Sequence, residues 1–150
     1  MPSTINTTAT ADDIFGEPIS VYTRAQAIDD GVLIDVSETA REAGIVWPVA
    51  LTAAVWMDCV AWDEIAEKRK PDYTAQSESG RLWDVAWMAS RAIRAALRRG
   101  HDGHSPIAFQ LFRIPREGRG MRPRLVALKL CIGPGDEGEP VITIMQPGED

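Results

Sequence analysis

The chain of 150 residues is short of the side chains that most often carry chemistry, with 2 cysteines, 2 histidines, 2 tyrosines and 3 phenylalanines. Cys59 and Cys131 stand in apolar surroundings without CxxC spacing. That excludes a disulfide framework or a thiolate metal ladder and suits a reducing compartment. Both read as core thiols, because free cysteine is among the most buried residue types. The histidines fall together in His101-Asp102-Gly103-His104, with no HExxH or Cys/His ladder. A zinc site needs imidazoles and a carboxylate converging to ~2.2 Å of one point, which adjacency alone does not supply. The segment therefore reads as a polar loop after a helix. The G-x-S-x-G elbow, the Walker loop and the Rossmann fingerprint are missing. Gly133-Pro134-Gly135 lies between two strands, whereas a phosphate cradle needs a helix N-terminus. No cofactor and no metal are expected.

Long apolar runs are lacking as well. None approaches the ~20 residues of a membrane helix, so no membrane role is expected. Residues 1–12, rich in Thr, Ser and Ala, have neither a basic start nor an apolar stretch and do not resemble a secretory signal. They read as a frayed tail, residues 1–14, of a cytoplasmic protein, leaving residues 15–150 as one domain of ordinary size.

Charge is present in quantity but unevenly placed. The net −6 conceals 6 basic against 15 acidic side chains in residues 1–90, 10 against 2 in 91–129, and only 5 acids in 130–150. Whether this makes an open patch depends on which acids the fold brings beside the arginines.

The pattern predicts an α+β domain. An extended piece over 20–22 leads to a helical turn over 24–30, capped by Thr23 and stopped by Gly31. A buried strand over 32–36 and a short helix from Ser37 to Gly44 complete an N-terminal strand-helix-strand-helix unit. Pro48 is placed to start a third helix reaching Trp62, with Val49, Ala53, Trp56 and Val60 on one stripe. Residues 63–76 read as an exposed connection. A long helix follows from Ser79 or Gly80 to Arg99, with Arg91, Arg94 and Arg98 opposite its apolar side and Ser79 assigned to capping. Strands over 107–114, 124–132 and 141–145 form a C-terminal meander. The expected architecture is an antiparallel sheet packed on one side by two long helices.

Trp47, Trp56, Trp62, Trp83 and Trp87 lie on or beside those helices and read mostly as core, with one free to surface at an interface. Asp35, Asp58 and Asp84 sit inside apolar segments, where an unpaired carboxylate is costly; Arg24, Arg41 or Arg81 are their expected partners. Arg113, Arg116, Arg119, Arg122 and Arg124 suit phosphate contacts. No aromatic residue separates them for base stacking, so a solvated basic face answering the acidic segments is the simpler expectation.

Residues 22–37, from Tyr22-Thr23-Arg24 through Gly31 to Asp35-Val36-Ser37, resemble an uncharacterised family of small proteins carried by plasmids and integrative conjugative elements of Proteobacteria. Gly80-Arg81-Leu82-Trp83-Asp84-Val85, Gly133-Pro134-Gly135-Asp136 and the run from Glu139-Pro140 to Met145 look like its other signatures. The resemblance extends from about Phe15 onward. It implies a setting in which small accessory proteins blunt host defences such as CRISPR and restriction systems, and it supplies no catalytic residues. The leading expectation is thus a protein-binding accessory factor, an acidic domain that docks on a host protein or on the positively charged nucleic-acid channel of a defence complex. Tyr22, Arg24, Arg81, Asp84, Arg116, Arg119, Arg122, Asp136 and Glu137 are the candidate binding residues. A second reading is a small enzyme modifying a host protein or nucleotide, from a layout similar to the start of small ADP-ribosyltransferases. A pocket gathering Tyr22, Arg24, Arg81 and Asp84 is what it requires. A third is a DNA-binding regulator acting through the arginine-rich loop.

Overall fold

Thr23 opens the first described element for the reason its sequence suggests. Its hydroxyl accepts from the Gln26 amide and the Gln26 side chain accepts from the Thr23 amide, a reciprocal capping box. The structure is a computed structural model that describes residues 21–150. The tail expected over residues 1–14 and the start of the extended piece at Ser20 lie outside the described residues. In chain order the elements are α1 (Arg24–Asp29), β1 (Leu33–Asp35), α2 (Ser37–Glu42), β2 (Val49–Thr52) and α3 (Ala53–Val55), which runs into a π-helical turn (Trp56–Val60). Then come α4 (Glu64–Arg69), α5 (Glu78–Arg98), β3 (Ile107–Arg113), β4 (Arg124–Pro134) and β5 (Pro140–Met145).

The fold is α+β, with one five-stranded sheet ordered β1-β2-β5-β4-β3. The C-terminal meander forms as expected: β3 pairs antiparallel with β4, and β4 with β5. The sheet is mixed rather than wholly antiparallel, because β2 inserts between β1 and β5 and runs parallel to β5.

That insertion corrects the reading of the third helix. Val49, Ala50 and Leu51 are buried strand residues. A central strand covered on both faces is continuously apolar, and over four residues this is indistinguishable from a buried helical turn. Only α3 and the π-helical turn remain of that helix, so α5 is the one long helix among the described residues. On α5, Val85, Ala89 and Ala96 face the sheet, where they join Leu128, Leu130, Ile142 and Ile144 in the core.

Three smaller corrections have local causes. β1 is a sheet edge and only half-buried. Ser77, not Ser79, caps α5 by accepting from the Gly80 amide. The span 63–76 is structured: Asp63 caps α4, and Glu67 accepts from the Thr74 amide and hydroxyl and from the Trp62 indole. Of the tryptophans, Trp62 is core, whereas Trp47, Trp83 and Trp87 are exposed. Cys59 is buried, while Cys131 sits half-buried on the other face of the sheet.

Candidate functional site

Two buried cations stand behind the arginine-rich loop. Lys70 is 6% exposed and Arg81 is 4% exposed. Both lie over the ring of Trp62, with Nζ at 5.8 Å and Cζ at 4.8 Å from its centroid. The Lys70 ammonium donates to the carbonyls of Pro115 (2.7 Å), Glu117 (3.3 Å), Gly118 (3.0 Å) and Gly120 (2.7 Å). A side chain with donors only is the natural centre for a ring of acceptors, and the loop wraps around it. Arg81 donates to Val60, Asp58 and Ile114 carbonyls and to the Gln76 side chain. In doing so it collects the carbonyls freed at the end of the π-helical turn. Burial pulls both cations below their ordinary pKa values.

The loop arginines divide. Arg113 pairs with Asp58 at 2.9 Å, and Arg116 with Asp63 at 3.0 Å and Glu117 at 3.4 Å. Asp58 thus finds Arg113, none of the partners expected for it, and Arg116 is an internal tie rather than a free binding group. Arg119, Arg122 and Arg124 are exposed and make no ion pair among the described residues.

Arg81 and Asp84 line a hollow of about 180 Å³ beside Cys59. Burial raises the Asp84 carboxyl, with Arg81 opposing. The Cys59 thiol is pushed up to about 12, first by burial and then by Asp58, so it is protonated and inert near neutral pH.

Tyr22, Arg24 and Asp136 meet elsewhere. Asp136 reaches from the β4–β5 loop to accept from the Arg24 and Ala25 amides (2.8 and 3.0 Å), closing the N-terminus of α1. The Arg24 guanidinium donates to Thr143 Oγ1 (2.7 Å) and to the Ile142 carbonyl (2.8 Å). Burial lowers its pKa, while Asp35, Asp136 and Glu139 oppose that shift. The Tyr22 hydroxyl donates to Asp30 at 2.8 Å. The Glu137 amide donates to Glu139, leaving the Glu137 side chain exposed. Tyr22 and Arg24 lie on the Thr143 side of the sheet, opposite α5 with Arg81 and Asp84. The four residues an enzymatic pocket required are not brought together.

The outer side of α5 carries a stripe that sequence reading passed over. Trp83 and Trp87 stack with centroids 5.9 Å apart and planes at 19°, and both are exposed. Arg91, Arg94 and Arg98 continue the same helix face at spacings of three and four. Residues 85–101 contain no acid, and none of these arginines makes an ion pair among the described residues. The signal was present in the Trp-x3-Trp-x3-Arg spacing, but reading tryptophan as core concealed it.

Alongside the second half of α5 lies a cleft of about 730 Å³. It opens between the second half of α5, the segment leading to β2 and the ends of the meander strands. Its wall is predominantly apolar, including Ile45, Trp47, Ile93 and Ile142, with Arg94, His101 and His104 on its border. The His101 ring is engaged locally: Nδ1 accepts from the Gly103 amide and Nε2 meets the Ser105 hydroxyl.

Fold and sites together define a mixed-sheet α+β domain whose buried polar groups hold the chain together and whose arginines on α5 and the loop tip make no ion pair among the described residues. The chain belongs to a family of unknown function, DUF6573, whose model matches residues 11–150. No curated protein and no solved structure matches it.

Proposed function

We propose that the protein is a cytoplasmic accessory factor of a mobile genetic element that acts by docking on a host protein, as an inhibitor of a defence complex would. The outward stripe of α5 is its docking surface. The setting rests on the resemblance of residues 22–37 and the later signatures. The mode of action rests on one observation: the exposed Trp83–Trp87 stack continues into arginines that make no ion pair among the described residues. Tryptophan and arginine are the residue types most enriched among binding hot spots. An aromatic pair followed by cations without internal acids fits an acidic partner surface with an apolar centre. The acidic β4–β5 loop is a weaker docking candidate, because Asp136 is engaged in closing α1.

Affinity purification from a host carrying the element tests this, comparing wild type with a W83A/W87A/R91Q/R98Q variant whose circular dichroism matches it. A host protein with an acidic face, retained at low salt by wild type and lost by the variant, is the expected outcome. Equal retention by both overturns the assignment. Arg119, Arg122 and Arg124, which make no ion pair among the described residues, favour a second reading, nucleic-acid binding. It predicts gel retardation that fades with salt and is abolished by R119Q/R122Q/R124Q.

A further inference from the structure

The cleft at the end of α5 has features the docking stripe does not need. Its volume of about 730 Å³ falls in the ~300–1,000 Å³ range of small-molecule sites. One polar end interrupts the apolar wall. There Ser90 and Arg94, one turn apart on α5, face Gly44 in the turn after α2. A Cβ built on Gly44 falls 2.7 Å from Arg94 Nη2 and 3.5 Å from Ser90 Oγ. The absence of a side chain at Gly44, which also holds φ at +101°, is what admits the guanidinium. Among the described residues no acid lines that end. The one acid among the described lining residues, Asp102, belongs to the 101–104 turn and already accepts from the His104 amide. Among the described residues Arg94 has neither an ion pair nor a hydrogen bond.

We propose that this cleft is a binding site for a small organic anion, a carboxylate or sulfonate on an aromatic or branched apolar body. The acid group is held by Arg94, and the body lies against Trp47, Ile93 and Leu97. A guanidinium offers paired donors in the geometry of a planar acid. An apolar wall with a single cationic end selects for molecules of that polarity. The site meets the docking stripe at Arg94, whereas the docking variant changes only Trp83, Trp87, Arg91 and Arg98.

Anilinonaphthalene sulfonate is the anionic probe, and N-phenylnaphthylamine, which lacks the charge, is the neutral one. Titration of the full chain followed by fluorescence is expected to give saturable one-to-one binding of the sulfonate, displaced by decanoate. R94M is expected to weaken the sulfonate at least tenfold while shifting the neutral probe less than twofold. Filling the cleft with I93W is expected to exclude both. Circular dichroism and a cooperative thermal transition on each variant separate site binding from dye uptake by a loosened core. Failure of the sulfonate to bind, or equal effects of R94M on the two probes, overturns the assignment. Neither result touches the docking reading, whose variant leaves Arg94 in place.

Discussion

Arginine is concentrated in two places, the loop reaching from Arg113 to Arg124 and the second half of α5, and the two regions surround their guanidinium groups differently. In the loop, Arg113 and Arg116 are tied to Asp58 and Asp63, and the backbone closes on the Lys70 ammonium. On α5, Arg91, Arg94 and Arg98 project from a segment whose own sequence carries no acid, and none makes an ion pair among the described residues. The loop would be the natural choice for a basic patch from sequence, yet much of its polarity is structural. The helix, whose arginines read as ordinary favourable charge near a C-terminus, holds the freer surface. Density of one residue type therefore says less about availability than the acceptors within reach.

Four variants break or sharpen this contrast. K70M has the largest expected effect, because it leaves four loop carbonyls without their shared donor. A loss of about 3 kcal/mol, or roughly 10 °C in Tm for a chain of this size, is expected by thermal denaturation. An unchanged transition would show that the loop does not depend on Lys70. G44A comes next, since it forces a side chain into a left-handed backbone and against Arg94. About 1 kcal/mol or more is expected, read from the urea midpoint.

A smaller and pH-dependent effect is expected at Glu67, which ties α4 to Thr74 and Trp62. Its folded-state pKa is lowered, first by the Thr74 hydroxyl, then by the Trp62 indole and the Thr74 amide. A carboxylate whose folded value is depressed contributes stability that is fully present above its unfolded value of about 4.3 and is lost as pH falls through the lower folded value. E67Q should flatten the acid limb of a urea-midpoint profile below about pH 4.5 and leave its slope near neutrality unchanged. The smallest effect belongs to R91Q/R98Q, expected to leave stability within ~0.5 kcal/mol of wild type. A large loss there would mean that these arginines have internal partners and would remove the contrast with the loop.

The legible parts of the fold were those specified by short-range patterns. The Thr23 cap, the stop at Gly31, the 21-residue span of α5 and the alternation of the meander all follow from local stereochemistry and periodicity. Val49–Thr52 was not legible, because four buried residues fit a strand and a helical turn equally until β1 and β5 stand on either side. Tyr22, Arg24 and Asp136 were legible as candidates, but their mutual contact was not, since 112 positions separate Arg24 from Asp136. The cleft gave almost no signal, being assembled from a glycine, an α5 arginine and the ends of strands.

The sequence by itself determined the class of the fold, the long helix, the C-terminal strands and the segregation of charge, because each depends on neighbours within a few residues. Tertiary structure alone decided the parallel β2–β5 pairing, the burial of Lys70 and Arg81 over Trp62, and the pairing of Arg113 and Arg116 with acids. Those outcomes depend on which distant carbonyls and carboxylates the sheet and helices bring within about 3 Å of a donor, a distance that no linear pattern encodes.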